Sequence, residues 1–510
     1  MKLKLLPLAI TAALGTLAAS QAQAILASAY TNSSETTGTT QNYRISGATA
    51  QDSGILNMAL SVCKTTGSGA TLKSTMTWYS ISNNNVYFCQ PDSGTGAGQI
   101  VVPGGKTQMA IYKYSVGGSG NGVQPVNDAA NIPFLDLAKL KNAGAACGAA
   151  VEQPANGSLP KYDKITCSSS SFDMITNAVT RVGVSDLEPE FFTSSTGNLT
   201  ATPLSALIFG IPVTKNVRDR MQHIQGLGAA CIGLDTEACM PSLSSAQLVS
   251  LYTSAGQSWA TLGLPMTTTL SPTGLSAAQI TAVAPLSSNT VFVARRVDSS
   301  GTQKTFEALV AHTPNGDTAL KNCQTDVDTF VAPDSGATIV GDNASVCSAG
   351  TTTVFAGSGG GDVRSCLNNH NTGNRGAIGI LTTEDKAGSN GWRFVKVDGN
   401  APTQAQVAAG KYRFYTETSL NVRSDLPTGY GEAGALVDRM KTDFANKAII
   451  ALINGADQPF GPAGLMALLS LQTAAPDNVA NFTGSNSINP WTKLVGGSTI
   501  NNCQAPKLLF

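Results

Sequence analysis

The sequence has few histidines and few charged side chains. Only three of its 510 residues are histidines (His223, His312 and His370), and Asp, Glu, Lys and Arg together make up 13%. Because these histidines lie far apart in the chain, no histidine-based metal site is expected, and no cofactor is predicted. Acidic and basic residues are balanced at 32 each, so charge gives no reason to expect nucleic acid or an anionic membrane as a partner.

Long apolar runs are missing after the first few residues of the chain. Met1, Lys2, Leu3 and Lys4 precede an apolar run over 5–19, and Ala22-Gln23-Ala24 follows. This pattern is typical of a secretory signal peptide, so residues 1–24 are predicted to be removed after Ala24. With no later run of about eighteen apolar residues, no membrane insertion is expected. The predicted location is therefore the periplasm or the exterior of the cell.

The chain also contains no C-x-x-C motif, although it has ten cysteines. The absence of that motif argues against a thioredoxin-like redox pair, a zinc knuckle and haem attachment. An even number of cysteines in an exported protein favours five disulfides. The simplest hypothesis joins neighbours along the chain. It gives the pairs Cys63–Cys89, Cys147–Cys167, Cys231–Cys239, Cys323–Cys347 and Cys366–Cys503.

The most informative stretch is Thr290 to Val310. It begins as a short β-branched and aromatic run and ends as a helix, which Thr302 can cap. Between them, a turn of small residues leaves backbone N–H groups free to bind an anion. Arg296 adds a planar fork of donors, and Asp298 is expected to pair with Arg296 and hold it in place. The alternative is an ordinary strand-to-helix turn with a surface ion pair.

Three earlier segments repeat the pattern of a strand that ends in a small-residue turn. The first strand ends at Ile45 and is followed by Gly47-Ala48-Thr49, where Thr49 serves either an anion or the helix as its N-cap. The second strand runs over 110–116 into a glycine-rich turn at 117–122. The third ends near Asp186, after an insertion at about 124–178 that shows few strand signals. In open α/β sheets, ligands bind at such strand ends.

These segments resemble, in order and character, the periplasmic phosphate-binding proteins of ABC transporters. Residues 47–49 resemble the first anion loop of that family, and 116–123 (Val-Gly-Gly-Ser-Gly-Asn-Gly-Val) its glycine-serine loop with one extra residue. Residues 183–186 are similar to the segment with the ligand-binding aspartate. The most specific match is 295–302 (Arg-Arg-Val-Asp-Ser-Ser-Gly-Thr), which is close to Arg-Arg-Ala-Asp-Gly-Ser-Gly-Thr.

The resemblance implies an α/β, two-lobed fold of the type II periplasmic-binding-protein kind, with insertions stapled by disulfides. Residues 25–203 would form the first part of lobe I, including the insertion at about 124–178. Residues 204–409 would form lobe II, and 410–510 would return to lobe I. Ligand would bind between the lobes, at these residues: Thr49, Ser119, Asp186, Arg296, Ser300, Gly301 and Thr302.

The implied ligand is inorganic phosphate or a similar tetrahedral oxyanion, and the implied partner is an ABC permease, for phosphate uptake. Two other classes stay open. An exported surface protein could keep the fold without delivering a ligand, since the chain is rich in Thr, Ser, Gly and Asn. A secreted phosphatase would need an activated nucleophile or a metal cluster, and the sequence has no G-x-S-x-G and no clustered histidines. The chain is therefore predicted not to be an enzyme.

Overall fold

A computed structural model describes residues 24–31, 38–96, 98–155, 159–168, 174–254, 256–311, 331–339, 347, 350–425, 433–472 and 487–509. Most of the predicted signal segment, and Cys323 and His312, lie outside these ranges. Among the residues described, no helix combines the length and the apolar character needed to cross a membrane.

The strands are β1 (Thr40–Gly47), β2 (Thr65–Thr66), β3 (Lys73–Ile81), β4 (Asn84–Cys89), β5 (Gln108–Tyr114), β6 (Asn131–Leu135), β7 (Val151–Gln153), β8 (Lys161–Thr166), β9 (Ile175–Val179), β10 (Val182–Ser185), β11 (Leu199–Thr214), β12 (Ser242–Leu243), β13 (Phe292–Arg296), β14 (Thr338–Ile339), β15 (Val354–Gly357), β16 (Ala377–Gly379), β17 (Leu381–Thr382), β18 (Trp392–Val397), β19 (Tyr415–Arg423), β20 (Leu465–Leu468), β21 (Ile488–Asn489), β22 (Trp491–Thr492), β23 (Leu494–Val495), β24 (Thr499–Ile500) and β25 (Lys507–Leu508).

The α-helices are α1 (Asp52–Val62), α2 (Gln124–Asn127), α3 (Leu137–Leu140), α4 (Lys215–Ile224), α5 (Ser245–Thr253), α6 (Ala277–Ala282), α7 (Gly301–Phe306), α8 (Gly360–Thr372), α9 (Gln404–Ala408), α10 (Gly434–Ala445) and α11 (Lys447–Asn454). A π-helical turn, Glu307–Ala311, continues α7.

The first half of the sheet is built around β1, which is parallel to both of its neighbours, β5 and β10. Beyond β5 the strands follow in the order β4, β3, β8 and β7, and beyond β10 come β19 and then β11. Because β1, β5 and β10 run in the same direction, their carboxyl ends meet at one edge of the sheet. That edge carries three of the predicted ligand segments.

The second half of the sheet is built around β13, which lies parallel between β15 and β16. It connects to the first half through β11, a strand of 16 residues. The amino-terminal part of β11 pairs with β19 in the first half, whereas its last residues, Ile211 to Thr214, pair with β18. Its register shifts between Pro203 and Ala206, where the sequence predicts the crossing between lobes. The lobe boundaries between residues 203 and 204 and between 409 and 410 remain predictions.

The largest apolar core spans both halves, since it contains Ile45 and Val184 from the first and Trp259, Val293 and Ile378 from the second. The segment 124–178 has a core of its own, packed on the outer strands β3 to β5. Its described residues also form the strands β6, β7 and β8 and most of β9, where few strand signals are found in the sequence. The reason is visible in β8, whose residues are mostly half-buried and which therefore lacks an apolar run.

Disulfides confirm part of the predicted pairing and correct the rest. Cys63–Cys89, Cys147–Cys167 and Cys231–Cys239 are bonded as predicted. Cys347 is bonded to Cys366, so the predicted pairs Cys323–Cys347 and Cys366–Cys503 are both wrong. The hypothesis joined neighbours two by two from the amino terminus, and that rule fails where α8 brings Cys366 back to Cys347. The predicted mixed α/β class with disulfide-stapled segments is confirmed.

Candidate functional site

The predicted ligand segments come together where the two halves of the sheet face each other. Residues 117–122, after β5, contact residues 297–301, after β13. The Gly120 N–H donates a hydrogen bond to the Ser299 carbonyl at 3.1 Å. A Cβ atom placed on Gly118 would lie 3.1 Å from the Ser300 Cα atom. Glycine is required at Gly118 because its φ is +67°, a conformation that side chains disfavour.

Asp186 lies at the centre of this contact and is almost fully buried. Its backbone N–H donates to Ser119 Oγ at 3.0 Å, and its Oδ2 accepts a hydrogen bond from Thr302 Oγ1 at 3.4 Å. Among the described residues, its other oxygen, Oδ1, is buried without a hydrogen-bond partner. Burial raises the pKa of Asp186 to about 6, although the nearby Arg296 guanidinium acts in the opposite direction. A ligand with a proton to donate would satisfy Oδ1.

Arg296 approaches Asp186 from the other half and is held from two sides. Its Nε donates to the Gly357 carbonyl at 3.1 Å and its Nη2 to the Ser358 carbonyl at 2.7 Å. Its Nη1 lies 3.4 Å from Thr302 Oγ1. Burial lowers the pKa of Arg296 to about 10, so the guanidinium still carries its charge at neutral pH. The result is a fixed, buried positive charge that interacts electrostatically with the Asp186 carboxylate.

A cavity of about 190 Å³ opens beside this arginine and is called the cleft cavity below. Thr49, Arg296 and Thr302 line it together, so residues from the first and the second half share one wall. Ser300 Oγ is buried and has no hydrogen-bond partner in the part of the chain that the structure describes. The other predicted ligand residues do not line the cleft cavity and pack beside Arg296 and Thr302: Ser119, Asp186, Ser300 and Gly301.

The predicted support of Arg296 by Asp298 is wrong. Asp298 pairs with Arg295, whose Nη1 also donates to the Val331 carbonyl at 2.7 Å. Successive side chains on a strand point to opposite faces, so Arg295 and Arg296 leave β13 in opposite directions. The turn then carries the exposed Asp298 towards Arg295. Backbone carbonyls of 357–358 orient Arg296 instead. Because every residue has a backbone carbonyl, the sequence cannot show which ones contact this arginine.

A buried lysine beside the turn at 47–49 was not predicted from the sequence. Lys113 is fully buried, and its Nζ donates to the carbonyls of Gly47 at 2.8 Å and Ala48 at 3.2 Å. It also lies 3.2 Å from Asp52 Oδ1. Burial lowers the pKa of Lys113 and raises that of Asp52. Lys113 therefore fixes the turn before Thr49. Its signal in the sequence is a single lysine within the otherwise apolar and aromatic strand at 110–114.

One group of side chains has the residue types of a metal site. Among the described residues, Cys347, Cys366 and His370 place their ligand atoms within 4.8 Å of one another. Both sulfurs are used in the disulfide, however, and His370 Nδ1 accepts a hydrogen bond from Arg375. Both cysteine ligands of this group are thus already engaged, and it does not fit a metal centre in the oxidised protein.

The contact between the halves predicts a large effect of adding one methyl group at Gly301. A Cβ atom there would lie 2.1 Å from Ser119 Oγ and 2.7 Å from Asp186 Oδ2. We expect Gly301→Ala to lower the free energy of unfolding by about 1–3 kcal/mol through overpacking. Chemical denaturation measures this change. Gly197→Ala is the control, since nothing lies within 4 Å of its added Cβ. Equal stability of the two variants would contradict the contact.

Burial of Asp186 predicts a pH dependence of stability in the protein without ligand. Its pKa is about 6 when folded and 3.8 as a free side chain, so the folded state holds its proton more tightly. Stability from this group is therefore complete below pH 4 and is lost as pH rises to about 6. We expect the difference between the wild type and Asp186→Asn to fall by on the order of 3 kcal/mol across this window. Urea unfolding of both proteins at several pH values measures this difference. A difference in unfolding free energy that does not change with pH would contradict the prediction.

Comparisons with known proteins give only distant matches. No protein-family model and no curated protein matches the chain. Among solved structures, an ABC-type phosphate transport receptor from Vibrio cholerae is 14% identical with a TM-score of 0.30, over 54% of this chain and 79% of that one. A human phosphate binding apolipoprotein is 15% identical with a TM-score of 0.32, over 54% and 75%. A DING protein is 16% identical with a TM-score of 0.30, over 55% and 77%.

Proposed function

We propose that this chain is an exported solute-binding protein that holds inorganic phosphate, or a similar tetrahedral oxyanion, between the two halves of its sheet. The observation that carries the proposal is the group around Arg296. A buried guanidinium there lies beside two buried oxygens without partners in the described structure, Asp186 Oδ1 and Ser300 Oγ. Buried polar atoms are normally hydrogen-bonded, and a polar ligand at this position would supply partners to both oxygens.

The chemistry of these atoms favours an oxyanion that still carries a proton. The guanidinium compensates negative charge, and the Ser300 hydroxyl can donate to an oxygen of the ligand. At neutral pH the carboxylate of Asp186 is mostly ionised, because its pKa is about 6. In that form Oδ1 accepts hydrogen bonds and cannot donate them. Phosphate meets both demands because it retains a proton near pH 7. Thr49 lines the cleft cavity together with Arg296 and Thr302 and would contribute a further hydroxyl.

Binding rather than catalysis is proposed because the serine beside the site has no base. Ser300 Oγ makes no hydrogen bond within the described residues, and a nucleophilic serine needs a neighbouring base to activate it. The export signal predicted for residues 1–24 and the disulfides both suit a protein outside the cytoplasm. Delivery of phosphate to an ABC permease is the corresponding proposal for its partner.

Titration of phosphate into ligand-free protein tests this function. The protein is unfolded, dialysed to remove bound anions and refolded with its disulfides intact before calorimetry. We expect saturable binding of inorganic phosphate and a rise in the thermal midpoint with phosphate concentration, as mass action requires. Binding of neither phosphate nor another tetrahedral oxyanion would overturn the proposal and favour a surface protein that has kept only the fold.

A further inference from the structure

The cleft cavity extends well beyond the residues proposed to bind phosphate. From Thr49, Arg296 and Thr302 it continues along the strands β3, β4 and β8, which belong to the outer part of the first half. A single water needs on the order of 10–15 Å³ of such space, so the five heavy atoms of one phosphate fill under half of the 190 Å³. Phosphate alone therefore leaves most of this cavity to water.

The far end of the cleft cavity presents an aromatic ring among polar side chains. Trp78 is half-buried there, and its Nε1 already donates to Asn85 Oδ1 at 2.8 Å. The polar edge of the indole is thus occupied, and the ring offers a ligand its apolar surface. Lys164 Nζ lies 3.8 Å from the centre of that ring. Ser80 also lines this end. Aromatic rings surrounded by hydroxyl, amide and amine groups suit ligands with alternating C–H and O–H groups.

The two ends are joined by a contact across the cleft. Asn83 Nδ2 donates to Ser358 Oγ at 3.4 Å, and the carbonyl of the same Ser358 holds Arg296. A ligand that reaches from Arg296 to Trp78 would therefore pass a surface that already belongs to both halves. The geometry places the aromatic end and the cationic end in one continuous space rather than in two separate pockets.

Charge in the cleft cavity is compatible with an anion at one end and a neutral group at the other. Its lining includes three cationic side chains against two carboxylates. Asp385 pairs with Arg364, and Asp52 is bound to Lys113 and to Ser115. Arg296 is held by backbone carbonyls and by Thr302, and Lys164 Nζ lies over the Trp78 ring. A phosphoryl group at Arg296 would balance the charge of that guanidinium, with no charge required on the rest of the ligand.

We propose that the ligand of this site is a phosphomonoester of a sugar or polyol, with its phosphoryl group at Arg296 and Thr302 and its hydroxylated carbon skeleton against Trp78. This proposal rests on the proposed function, because it takes the same anion site and adds a second half to the ligand. It assigns a role to strands β3, β4 and β8 that binding of a free phosphate ion does not require.

Calorimetry on the full mature chain, with glucose 6-phosphate and inorganic phosphate as probes, tests the proposal. We expect the wild type to bind glucose 6-phosphate more tightly than phosphate. Trp78→Ala should weaken glucose 6-phosphate about tenfold or more and change phosphate less than about twofold. Trp78→Phe should restore most of the loss, because it keeps a ring without the Asn85 hydrogen bond. Thermal unfolding checks that each variant is folded.

Lys164→Ala gives a second test if Trp78→Ala does not fold. Lys164 lines only the far end, so its loss should weaken glucose 6-phosphate about threefold or more and leave phosphate unchanged. Binding of phosphate without glucose 6-phosphate would overturn this proposal and leave the proposed function standing. Equal weakening of both probes by Trp78→Ala would also overturn it. If neither probe binds, the proposed function fails first and this inference fails with it.

Discussion

Replacing Arg296 with glutamine is expected to weaken the binding of inorganic phosphate by roughly 10²–10³-fold. Removal of one partner from a buried charge pair costs about 3–5 kcal/mol, and 1.4 kcal/mol is a tenfold change in affinity. Glutamine keeps the length of the side chain but removes its charge and most of its donors. It also gives up at least one of the carbonyl contacts, at Gly357 or Ser358, that orient the guanidinium. Isothermal titration at constant pH and ionic strength measures the effect.

The neighbouring arginine provides a matched control for this prediction. Arg295 is as buried as Arg296, but it pairs with Asp298 and Val331 on the opposite face of β13. Arg295→Gln should therefore lower the stability of the protein and change phosphate affinity by less than about threefold. If the Arg296→Gln variant folds and binds phosphate as tightly as the wild type, the guanidinium does not take part in phosphate binding.

The second large effect is expected in selectivity rather than in affinity. Asp186→Asn should narrow the preference for phosphate over sulfate by roughly tenfold or more, since an amide no longer repels an unprotonated oxyanion. Phosphate itself should lose less, because the amide oxygen still accepts a hydrogen bond from its proton. The physical basis is Asp186 Oδ1, a buried hydrogen-bond acceptor that has no partner among the described residues. In the wild type, an unprotonated sulfate oxygen would place its lone pair against a lone pair of the Asp186 carboxylate.

Titration of both anions into both proteins, above the pKa of Asp186, measures this ratio. Asp298→Asn serves as the control because Asp298 is largely exposed and paired with Arg295. The control should leave the ratio unchanged. Loss of the same factor for phosphate and sulfate in Asp186→Asn would indicate that the carboxylate acts on the fold and does not discriminate between ligands.

The sequence is sufficient to locate the segments of this site but not to orient every side chain. Small residues after a strand mark a turn wherever they occur, so the turns at Thr49, at 117–122 and at 297–301 are visible from their composition. Parallel strands then bring their ends to one edge. The assignment of Asp298 to Arg296 failed because it relied on spacing across a turn, whereas the alternation along β13 decides which arginine faces the cleft.

Other features depend on contacts between residues far apart in the chain. The carbonyls that hold Arg296 come from residues 357–358, about sixty positions later. Pairing of Cys347 with Cys366 depends on where α8 lies, which counting cysteines cannot reveal. The strand β8 joins the sheet beside β3 although its side chains form no apolar run. In each case the decisive partner belongs to another element, and only the folded chain brings it near.

The length of β11 has a consequence for any attempt to divide this protein. Its first residues pair with β19, and its last residues pair with β18. One continuous strand therefore belongs to both halves of the sheet. A fragment that ends before Leu199 or begins after Thr214 would lose this strand and expose a bare sheet edge, a surface prone to aggregation. Shorter versions of the chain for crystallisation or display should therefore be made by trimming peripheral segments, with both halves kept in one polypeptide.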